Sequence, residues 1–540
     1  MALTKVKGSV WDSADNGLAV SVKDFGVVGD GSTDDTAAIQ AAFNALTEHT
    51  AIVFDGNQYS INGVISLNTN NITIVFQGTT FLVGDTGTSG SFDAGTGTVT
   101  GKIGFLFDQA DNLTLLGEVT MLGQGTVGVT SLAGVVFTQC DDLSCKALMR
   151  FDTMAAGRFV INCDRPILGN AYGNKMDGLQ TFESPPSTNA GTVEVLIGCQ
   201  YGLSGDIFSF DAEKPARYMS IGFGRGNYAM VCGTTVAEYN GSSLTAHSLG
   251  IRSAVDCSFG SVIGKSGIFN ALYLEQNTTT YSIDRIYIES VQGDIGSTGA
   301  SVDSLIYSAA TTGSIGTIAI GTVIGDCSGE HGIYINSGKL SIGYALLSGS
   351  SNRLIQIAPV PASGLKPEIH IGHLNLEEFS GIGQPILIGK GASFSCGRLN
   401  ISSGPTAAVT IAVYYSSTIG DGSYHNGIHI GSIEYRQNGS INNYAILVYD
   451  DSTTAGPGSV TVQNVTYSDA STTDIRIGNA NYSARGGRLL GSSAPSTTAG
   501  GTWRVADQII DITPTSASPM GWACSVAGNP GTWLTMPSYA

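Results

Sequence analysis

A six-residue pattern that recurs eight times between Cys257 and Val465 constrains the fold of this chain more than any other feature. It reads apolar, any residue, apolar, usually Gly, any residue, apolar, which is strand-like alternation. The copies are CSFGSV at Cys257, IYIESV at Ile286, IAIGTV at Ile318, LSIGYA at Leu340, IHIGHL at Ile369, FSCGRL at Phe394, IHIGSI at Ile428 and VTVQNV at Val460. Their second apolar residues, Phe259, Ile288, Ile320, Ile342, Ile371, Cys396, Ile430 and Val462, are 29, 32, 22, 29, 25, 34 and 32 residues apart. A strand that returns at such intervals is typical of a solenoid.

The details of the repeat favour a parallel β-helix over a helical repeat. Alternation places both apolar side chains of a copy on one face of its strand. The intervals are irregular, and Gly, Ser, Thr and β-branched residues dominate, which excludes a repeat built from helix pairs of constant length. The Gly after the second apolar residue suits a bend where the chain turns a corner. Each copy therefore predicts one coil of a parallel β-helix.

A second set of strand-like segments predicts another strand column in each coil. An ordinary β-sandwich, with turns every 8–12 residues, is the alternative, but the pattern holds over about 200 residues. The segments are LQTFES at Leu179, IFSFDAE at Ile207, VAEYNG at Val236, LYLEQN at Leu272, IYINSG at Ile333, IQIAPV at Ile355, ILIGKG at Ile386 and ILVYDDS at Ile446.

The composition excludes several functional classes. The net charge of −18 argues against phosphate neutralisation and so against nucleic-acid binding. Gly makes up 73 of 540 residues without a G-X-Y period, which excludes collagen. The nine cysteines lack a CxxC pair and the seven histidines have no metal-ligand spacing, so we predict buried thiols, no metal and no cofactor. The sequence also has no secretory h-region and no run of 18 apolar residues, so we expect cytoplasmic synthesis and no membrane insertion.

One segment near the N-terminus has helical periodicity. Ile39, Ala42, Phe43 and Leu46 follow i, i+3, i+4, i+7 spacing, which predicts a helix at about 33–46. Ser32 or Thr33 is the expected N-cap. The GDGSTDD loop before it fails the EF-hand pattern and lacks a P-loop lysine. Because a solenoid needs a cover over its open apolar end, we interpret this helix as a cap.

The same segment, DFGVVGDGSTDDTAAIQAAFNAL, resembles the N-terminal signature of the pectate-lyase-like β-helix domain of bacteriophage tailspikes. In the following IVFDGNQYSI, Gly56 and Tyr59 fit the family pattern, whereas Asp55 and Asn57 depart from its Pro-rich form. The resemblance implies an all-β chain, a single-stranded right-handed parallel β-helix with an N-terminal capping helix and a small C-terminal β module. We expect a neck at 1–21, the β-helix at 22–488 and the C-terminal module at 489–540.

The resemblance also implies a biological setting. Tailspikes of this kind recognise and depolymerise bacterial capsule or O-antigen, so we expect a glycoside hydrolase with an Asp/Glu pair. The protein would be a homotrimer on the virion tail, docked on other phage tail proteins and acting at the bacterial surface. The C-terminal segment, which contains Trp503, Trp522 and Trp533, is similar to tailspike C-termini. It is expected to pack against partner chains, or to offer aromatic platforms for sugars.

The acidic residues after the second strand column are the candidate catalytic groups. If these strands stack, acids in adjacent coils lie about 4.8 Å apart, near the ~5 Å separation of a retaining glycosidase, and acids two coils apart fit an inverting one. Stacked acids also repel, which raises the pKa of one of them. The candidates are Glu183, Asp211 and Glu275, which follow the column, and Glu238, which lies close by in sequence.

Nearby polar and aromatic residues, together with two of the C-terminal tryptophans, are candidates for substrate binding. They are Asp177, Asp206, Tyr239, Asn240, Tyr273, Trp503 and Trp522. Two other functions stay open: a polysaccharide lyase with Tyr239, His247 or Tyr273 as base, and a fibre that binds sugar without cutting it. The sugar, the bond and the stereochemical outcome are also open.

Overall fold

The computed structural model describes most of the chain from Ala19 onward and divides it into two compact units. Unit 1 comprises Met1–Leu274 and Thr280–Ile288, and unit 2 comprises Glu275–Thr279 and Glu289–Ala540. The described residues are 19–84, 90–93, 98–124, 132–176, 192–211, 215–220, 225–239, 247–265, 268, 270–277, 279–295, 304–313, 315–327, 331–349, 353–358, 366–379, 385–403, 411–420, 427–437, 445–450, 460–467, 475–477, 488–491, 508–511, 520–526 and 532–537.

Short strands make up nearly all regular structure of the described residues. The first part of the chain contains β1 (Ala19–Ser21), a 3₁₀ turn (Val22–Phe25), β2 (Asp30–Asp34), α1 (Thr36–Asn44), β3 (Ala51–Phe54), β4 (Gln58–Ile61), β5 (Ile65–Leu67), β6 (Thr73–Val83), β7 (Gly90–Asp93), β8 (Thr98–Asp108), β9 (Thr114–Gly123), β10 (Leu132–Thr138), β11 (Ser144–Cys145), β12 (Leu148–Asp152), β13 (Ala156–Ile161), β14 (Ile167–Leu168), β15 (Ala171–Asn174), β16 (Thr192–Ile197), β17 (Leu203–Ser204), β18 (Ile207–Phe210), β19 (Arg217–Ser220), β20 (Asn227–Tyr228), β21 (Val231–Cys232), β22 (Thr235–Glu238), β23 (His247–Ile251), β24 (Ala254–Val255), β25 (Ser258–Gly264), β26 (Asn270–Asn277), β27 (Ile283–Asp284) and β28 (Ile286–Ile295).

The rest of the chain contains a further series of strands. They are β29 (Ser304–Thr312), β30 (Thr317–Cys327), β31 (His331–Ile335), β32 (Lys339–Ser348), β33 (Arg353–Ile357), β34 (Glu368–Phe379), β35 (Ile386–Lys390), β36 (Ser393–Ser403), β37 (Ile411–Gly420), β38 (Gly427–Gln437), β39 (Ala445–Asp450), β40 (Val460–Tyr467), β41 (Ile475–Ile477), β42 (Arg488–Gly491), β43 (Gln508–Asp511), β44 (Gly521–Val526) and β45 (Thr532–Thr535).

Unit 1 is a right-handed parallel β-helix whose coils contribute to three sheets. In the first sheet, buried side chains stack from coil to coil, and this inner column runs Ile52, Ile74, Leu115, Cys145, Leu168, Ser204, Cys232, Phe259. The second sheet includes β8, β10, β13, β16, β19, β23 and the first half of β26. A short third sheet joins β20, β24 and β27. The predicted fold is therefore confirmed.

Unit 2 repeats this arrangement with longer strands, and it confirms the predicted register. The second apolar residues of six copies pair directly, in the order Ile320, Ile342, Ile371, Cys396, Ile430, Val462. The described ones up to Ile430 are buried. Opposite this sheet in the same unit, β29, β31, β33, β35, β37, β39 and β41 form the second strand column.

The Gly of the repeat is required by close packing of neighbouring coils as well as by the bend expected from the sequence. A Cβ on Gly372 would lie 2.6 Å from the carbonyl oxygen of Gly343 in the preceding coil, and one on Gly397 would lie 2.5 Å from the Gly372 oxygen. Both distances are shorter than any normal contact, so only Gly lets neighbouring coils approach at this bend.

The N-terminal helix is where the sequence places it, and it covers apolar side chains of unit 1. Phe43 of α1 lies with its ring centroid 6.1 Å from that of Phe54 and 6.2 Å from that of Phe105. The expected N-cap, Ser32 or Thr33, is wrong because both residues belong to β2. The N-cap residue is Asp35, whose carboxylate instead accepts hydrogen bonds from the backbone of Val28 and Gly29.

The second strand column predicted for unit 1 needs a correction. IFSFDAE and VAEYNG are β18 and β22, which pair with each other in the first sheet. The strands of the second sheet in these coils are β16, β19 and β23. These strands could not be recognised in the sequence because their buried column contains charged residues.

Three charged side chains lie in the interior of unit 1. Arg158, Glu194 and Arg217 occupy adjacent positions of the second sheet, in the column that also holds Val135 and Leu249, and none has any exposed surface. Arg217 Nε donates to Glu194 Oε1 at 2.7 Å, and Arg158 Nε donates to Oε2 at 2.7 Å. The ion pairs satisfy charges that burial would otherwise penalise heavily, and they interrupt the apolar alternation that marks a strand in sequence.

The described residues at both ends of the chain belong to sheet structure. β1 pairs in parallel with β3. Near the C-terminus, β43, β44 and β45 form antiparallel pairs, which is the expected small β module. Within the described part of the chain, no helix is both long and apolar enough to span a membrane.

All nine cysteines are buried, as predicted, and their thiols are free. Burial raises the pKa of Cys145 to about 11 and that of Cys199 to about 12. A thiol with a raised pKa forms little of the reactive thiolate, so these cysteines act as packing residues.

Candidate functional site

The outer side of the first sheet in unit 1 carries two rows of side chains that we call the aromatic face. Strand alternation turns one residue in two outward, and the paired positions align these residues from coil to coil. One row contains Arg150, Tyr172 and Phe208, and the other contains Asp152, Asn174, Phe210 and Glu238.

Stacked rings form the centre of the aromatic face. The rings of Tyr172 and Phe208 are stacked with centroids 4.8 Å apart and planes 10° from parallel. The Arg150 guanidinium lies over the Tyr172 ring at 4.9 Å from its centroid, and Arg150 Nε contacts Glu118 Oε1 at 3.0 Å. In the second row, Phe210 is 40% exposed although it is a large apolar residue. An apolar surface held open in this way is a typical contact for the faces of sugar rings.

The acidic groups of the aromatic face are of two kinds. Asp152 Oδ2 accepts a hydrogen bond from Asn174 Nδ2 at 2.8 Å, so this carboxylate is tied to the next coil. Glu238 ends β22 opposite Phe210, and its side chain is half-buried. Neither carboxylate forms an ion pair within the described residues.

Asp211 lies next to Glu238 because the chain turns sharply after β18. Asp211 has φ of 56°, and its N–H donates to the carbonyl of Glu238 at 2.8 Å. Thr153 and Lys175 occupy the same turn in earlier coils with φ of 55° and 50°. Asp tolerates this left-handed conformation better than most residues do. Two of the predicted catalytic acids, Asp211 and Glu238, are therefore neighbours in adjacent coils.

Asp206 and Tyr239, two predicted substrate-binding residues, also belong to these coils. Asp206 Oδ1 accepts from the backbone N–H of Thr234 at 2.8 Å, and its own N–H donates to Asn170 Oδ1 at 2.8 Å. Oδ1 of the Asp206 carboxylate therefore links one coil to the next. Tyr239 directly follows Glu238 and is half-buried.

Glu275 and Tyr273 do not lie on the aromatic face, contrary to the predicted alignment. Both are on β26, whose residues Leu272 and Leu274 pair with Leu249 and Ile251 of β23 in the second sheet. In unit 1, the Tyr273 ring stacks on that of His247 with centroids 4.4 Å apart. The premise that Asp211 and Glu275 share one outer wall is wrong, because their segments belong to different sheets.

Within unit 2, Glu275 lies near a pair of stacked tyrosines. Tyr307 and Tyr334 have ring centroids 5.2 Å apart. Burial, the neighbouring Tyr334 hydroxyl and the charge of Glu275 together raise the pKa of Tyr307 to about 12. A tyrosine with a raised pKa stays protonated at neutral pH and is a poor base, which speaks against a catalytic base at this position.

The other predicted binding residues divide between the C-terminal module and undescribed segments. Trp522 of β44 is half-buried and pairs with Thr535 of β45, while Trp533 pairs with Cys524. The packing and sugar-platform interpretations of Trp522 both remain predictions. Asp177, Glu183, Asn240 and Trp503 lie outside the described residues.

The sequence prediction missed Arg150, Asp152, Tyr172, Asn174 and Phe208. Their coils precede Cys257, where the six-residue repeat was recognised, and β14/β15 and β17/β18 are short strand pairs without its pattern. The strict alternation in AYGN and IFSF was the available signal, since each strand buries every second residue. In the described residues, no group of three His, Cys, Asp or Glu side chains is arranged to hold a metal ion.

A separate row of exposed apolar residues lies on the other half of the first sheet in unit 1. Ile167, Leu203 and Val231 occupy paired positions in three consecutive coils, and each is more than 40% exposed. We call this the apolar row. An aligned, contiguous apolar surface of this kind is typical of an interaction site.

The N-terminal part of the chain matches one known family. Residues 19–115 match the model of the family described as rhamnogalacturonase A/epimerase, pectate lyase-like. No curated protein matches the sequence significantly.

Several solved structures are similar to this chain at low identity. PfbA, a surface adhesin of Streptococcus pneumoniae, is 12% identical, with 79% of this chain and 92% of that chain covered and a TM-score of 0.40. The Gp54 tailspike of Acinetobacter baumannii bacteriophage AP22, in complex with capsular saccharide, is 10% identical, with 91% and 79% covered and a TM-score of 0.36. The tailspike of E. coli bacteriophage HK620, in complex with pentasaccharide, is 10% identical, with 89% and 78% covered and a TM-score of 0.30. The first coils of the chain are thus similar to a pectate lyase-like family.

Proposed function

We propose that this protein is a tailspike-type depolymerase that binds bacterial capsule or O-antigen along the aromatic face and hydrolyses internal glycosidic bonds. The observation that carries the proposal is the aromatic face itself, where half-buried Tyr172 and Phe208 and exposed Phe210 lie beside two neighbouring acids. The resemblance of Asp24–Leu46 to the tailspike signature supports the setting, and the family matched at 19–115 is named for a rhamnogalacturonase.

The aromatic face suits a polysaccharide because its binding groups repeat from coil to coil. Tyr172 and Phe208 are stacked on each other and offer the edges of their rings as apolar surface, and Asn174 and Asp152 offer hydrogen-bonding groups in the neighbouring row. Successive coils are about 4.8 Å apart, so three coils span roughly two to three sugar rings. An extended chain can therefore lie across the strands and reach Glu238.

The proposed catalytic pair is Asp211 and Glu238. One acid protonates the leaving oxygen, and the other attacks the anomeric carbon or activates a water. Their backbones are directly hydrogen-bonded in adjacent coils, which supports the choice of these two acids as a pair. Glu183 stays a candidate of the same kind, whereas the position of Glu275 on β26 favours a role elsewhere.

We further propose that the chain acts as a homotrimer on the virion tail, bound to other tail proteins. The apolar row supports self-association, because burying Ile167, Leu203 and Val231 against another copy removes exposed apolar surface from water. The half-buried Trp522 and Trp533 of the C-terminal module are additional candidates for contacts between chains.

A panel of purified capsular polysaccharides and O-antigens tests the proposed function. The protein should shorten the chains of at least one of them, with new reducing ends and no unsaturated uronates. Unsaturated uronates in the products would identify a lyase, and tight binding without shortening would identify a receptor-binding fibre. Either result would overturn hydrolysis.

A further inference from the structure

Unit 2 contains a polar cleft on the outer side of its first sheet, formed by three consecutive long strands. Its volume is about 170 Å³. The lining side chains come from β34, β36 and β38, and the polar ones used below are Asn375, Glu377, Arg398, Asn400, Glu434 and Arg436. We call this set the polar cleft. No candidate residue from the sequence belongs to it.

The floor of the polar cleft is a continuous chain of hydrogen bonds. Asn375 Nδ2 donates to the Tyr344 hydroxyl at 3.0 Å, and Asn400 Nδ2 donates to Asn375 Oδ1 at 2.8 Å. Arg398 Nε then donates to Asn400 Oδ1 at 3.2 Å. Asn375, Asn400 and Glu434 occupy paired positions in successive coils, so the strand register fixes their side chains in advance of any ligand.

Glu434 is ionised and held by two guanidiniums. Arg436 Nε donates to Glu434 Oε1 at 2.8 Å, and Arg398 Nη2 lies 3.2 Å from Glu434 Oε2. These hydrogen bonds, with that of Arg436 first, hold the pKa of Glu434 below its ordinary value. Both guanidiniums therefore already have the Glu434 carboxylate as their counter-charge.

Several polar atoms at the cleft are not used by this network. Glu377 is exposed and forms no ion pair or hydrogen bond within the described residues. Nη1 of Arg398 and Nη1 of Arg436 take no part in the contacts above. Single N–H donors beside an open carboxylate suit hydroxyl groups, which both accept and donate.

We infer that the polar cleft is a second glycan-binding site, which takes one uncharged, hydroxyl-rich sugar ring. The inference rests on the proposed function, because that function identifies the ligand as a glycan. An acidic sugar is disfavoured because the open acid, Glu377, repels a carboxylate and both guanidiniums are already paired with Glu434. The volume is below the ~300–1,000 Å³ of pockets for larger small molecules, which limits the site to one ring. Binding there would retain the polymer on the protein without contributing to its cleavage.

Saturation-transfer NMR on the full chain tests the site with methyl glycosides of glucose, galactose, mannose, rhamnose and N-acetylglucosamine, and with methyl glucuronide as the acidic counterpart. At least one neutral glycoside should bind, and Glu377→Gln should weaken it about tenfold, since hydrogen bonds to charged groups are the strong ones. Glu368→Gln is the matched control, because Glu368 lies on the same strand, β34, outside the cleft and beside Lys339. It should leave binding unchanged.

The possible outcomes separate this site from the proposed catalytic one. Binding of glucuronide alone, equal affinities for Glu377→Gln and Glu368→Gln, or no binding of any neutral glycoside would overturn the inference. Cleavage of polysaccharide without Glu377-dependent binding would remove the second site and leave the proposed function intact. Glu377-dependent binding without cleavage of any polysaccharide would support the site and contradict the depolymerase.

Discussion

The rings of Tyr172 and Phe208 lie parallel on successive coils of unit 1, 4.8 Å apart between centroids, with the Arg150 guanidinium over the outer face of Tyr172. The spacing of the rings is the spacing of the strands. The coil geometry therefore determines how aromatic groups are presented to a ligand. The catalytic proposal depends on the same geometry, because Asp211 and Glu238 also belong to adjacent coils.

Removing the stacked rings should weaken polysaccharide binding. We expect Tyr172→Ala and Phe208→Ala each to weaken binding of a cleaved polysaccharide about five- to tenfold, because each removes part of the aromatic surface against which the sugar packs. Tyr201→Ala is the control, since Tyr201 is an exposed aromatic residue of unit 1 at a different turn. Isothermal titration calorimetry with an inactive background measures the effect. Equal affinities for all three variants would show that the sugar binds elsewhere.

Neutralising the acid pair should abolish cleavage but not binding. Asp211→Asn and Glu238→Gln should each lower kcat by about 10²–10⁴, the usual contribution of a positioned acid or base, with little change in affinity. Glu48→Gln, which changes an exposed acid after α1, should keep full activity. A reducing-end assay provides the rates. If activity survives both substitutions, other acids carry out the chemistry, and Glu183 is the next candidate.

The buried ion triad should make unit 1 sensitive to one substitution. Glu194→Gln leaves two guanidiniums buried without a counter-charge, so we expect a loss of about 3–5 kcal/mol in the free energy of unfolding. Glu118→Gln removes the partner of Arg150 at the surface and should cost about 0–1 kcal/mol. Chemical denaturation followed by circular dichroism compares the two variants. Similar losses would contradict the assignment of a structural role to Glu194.

The same residue predicts a dependence of stability on pH. Burial alone would raise the pKa of Glu194, but Arg158 and Arg217 outweigh it and lower this pKa below its ordinary value. A lowered folded-state pKa stabilises the protein fully above the unfolded value of ~4.3, and the stabilisation is lost as the pH falls through the folded value. Thermal unfolding from pH 6 downward should therefore show a steeper loss for the wild type than for Glu194→Gln. Parallel curves would contradict the linkage.

The glycine bend of unit 2 gives a steric prediction. Gly372→Ala places a Cβ 2.6 Å from the Gly343 carbonyl oxygen, so the coils must move apart, at a cost of about 1–3 kcal/mol. Ser341→Ala, on the outer side of β32, should be nearly neutral. Differential scanning calorimetry would reveal the difference, and a neutral Gly372→Ala would mean that the coils are not packed this closely.

The sequence predicted the parts of this fold that repeat without interruption. In unit 2 the inner positions from Ile320 to Val462 carry only apolar residues, so the register could be read directly. In unit 1 the inner column of the second sheet contains Arg158, Glu194 and Arg217, and this hid its strands and led to the placement of Asp211 and Glu275 in one column. Buried charges are satisfied by partners that are distant in sequence, which a local pattern does not show.

The site was partly predictable for the same reason. IFSFDAE and VAEYNG were recognised as strand-like segments, so Asp211 and Glu238 could be expected close together, but the register that pairs Phe210 with Glu238 could not. Tyr172 and Phe208 pair although they are 36 residues apart, and no repeat in the sequence indicates this pairing. The polar cleft depends on side-chain directions in three long strands, which no motif in the sequence indicates.

The most direct test of the central claim is a structure of Glu238→Gln bound to an oligosaccharide released by the wild-type protein. The account predicts sugar rings packed against the ring edges of Tyr172 and Phe208, with a glycosidic oxygen within hydrogen-bonding distance of Asp211 or of residue 238. An oligosaccharide bound in unit 1 away from these rings, with no glycosidic bond near either acid, would contradict it.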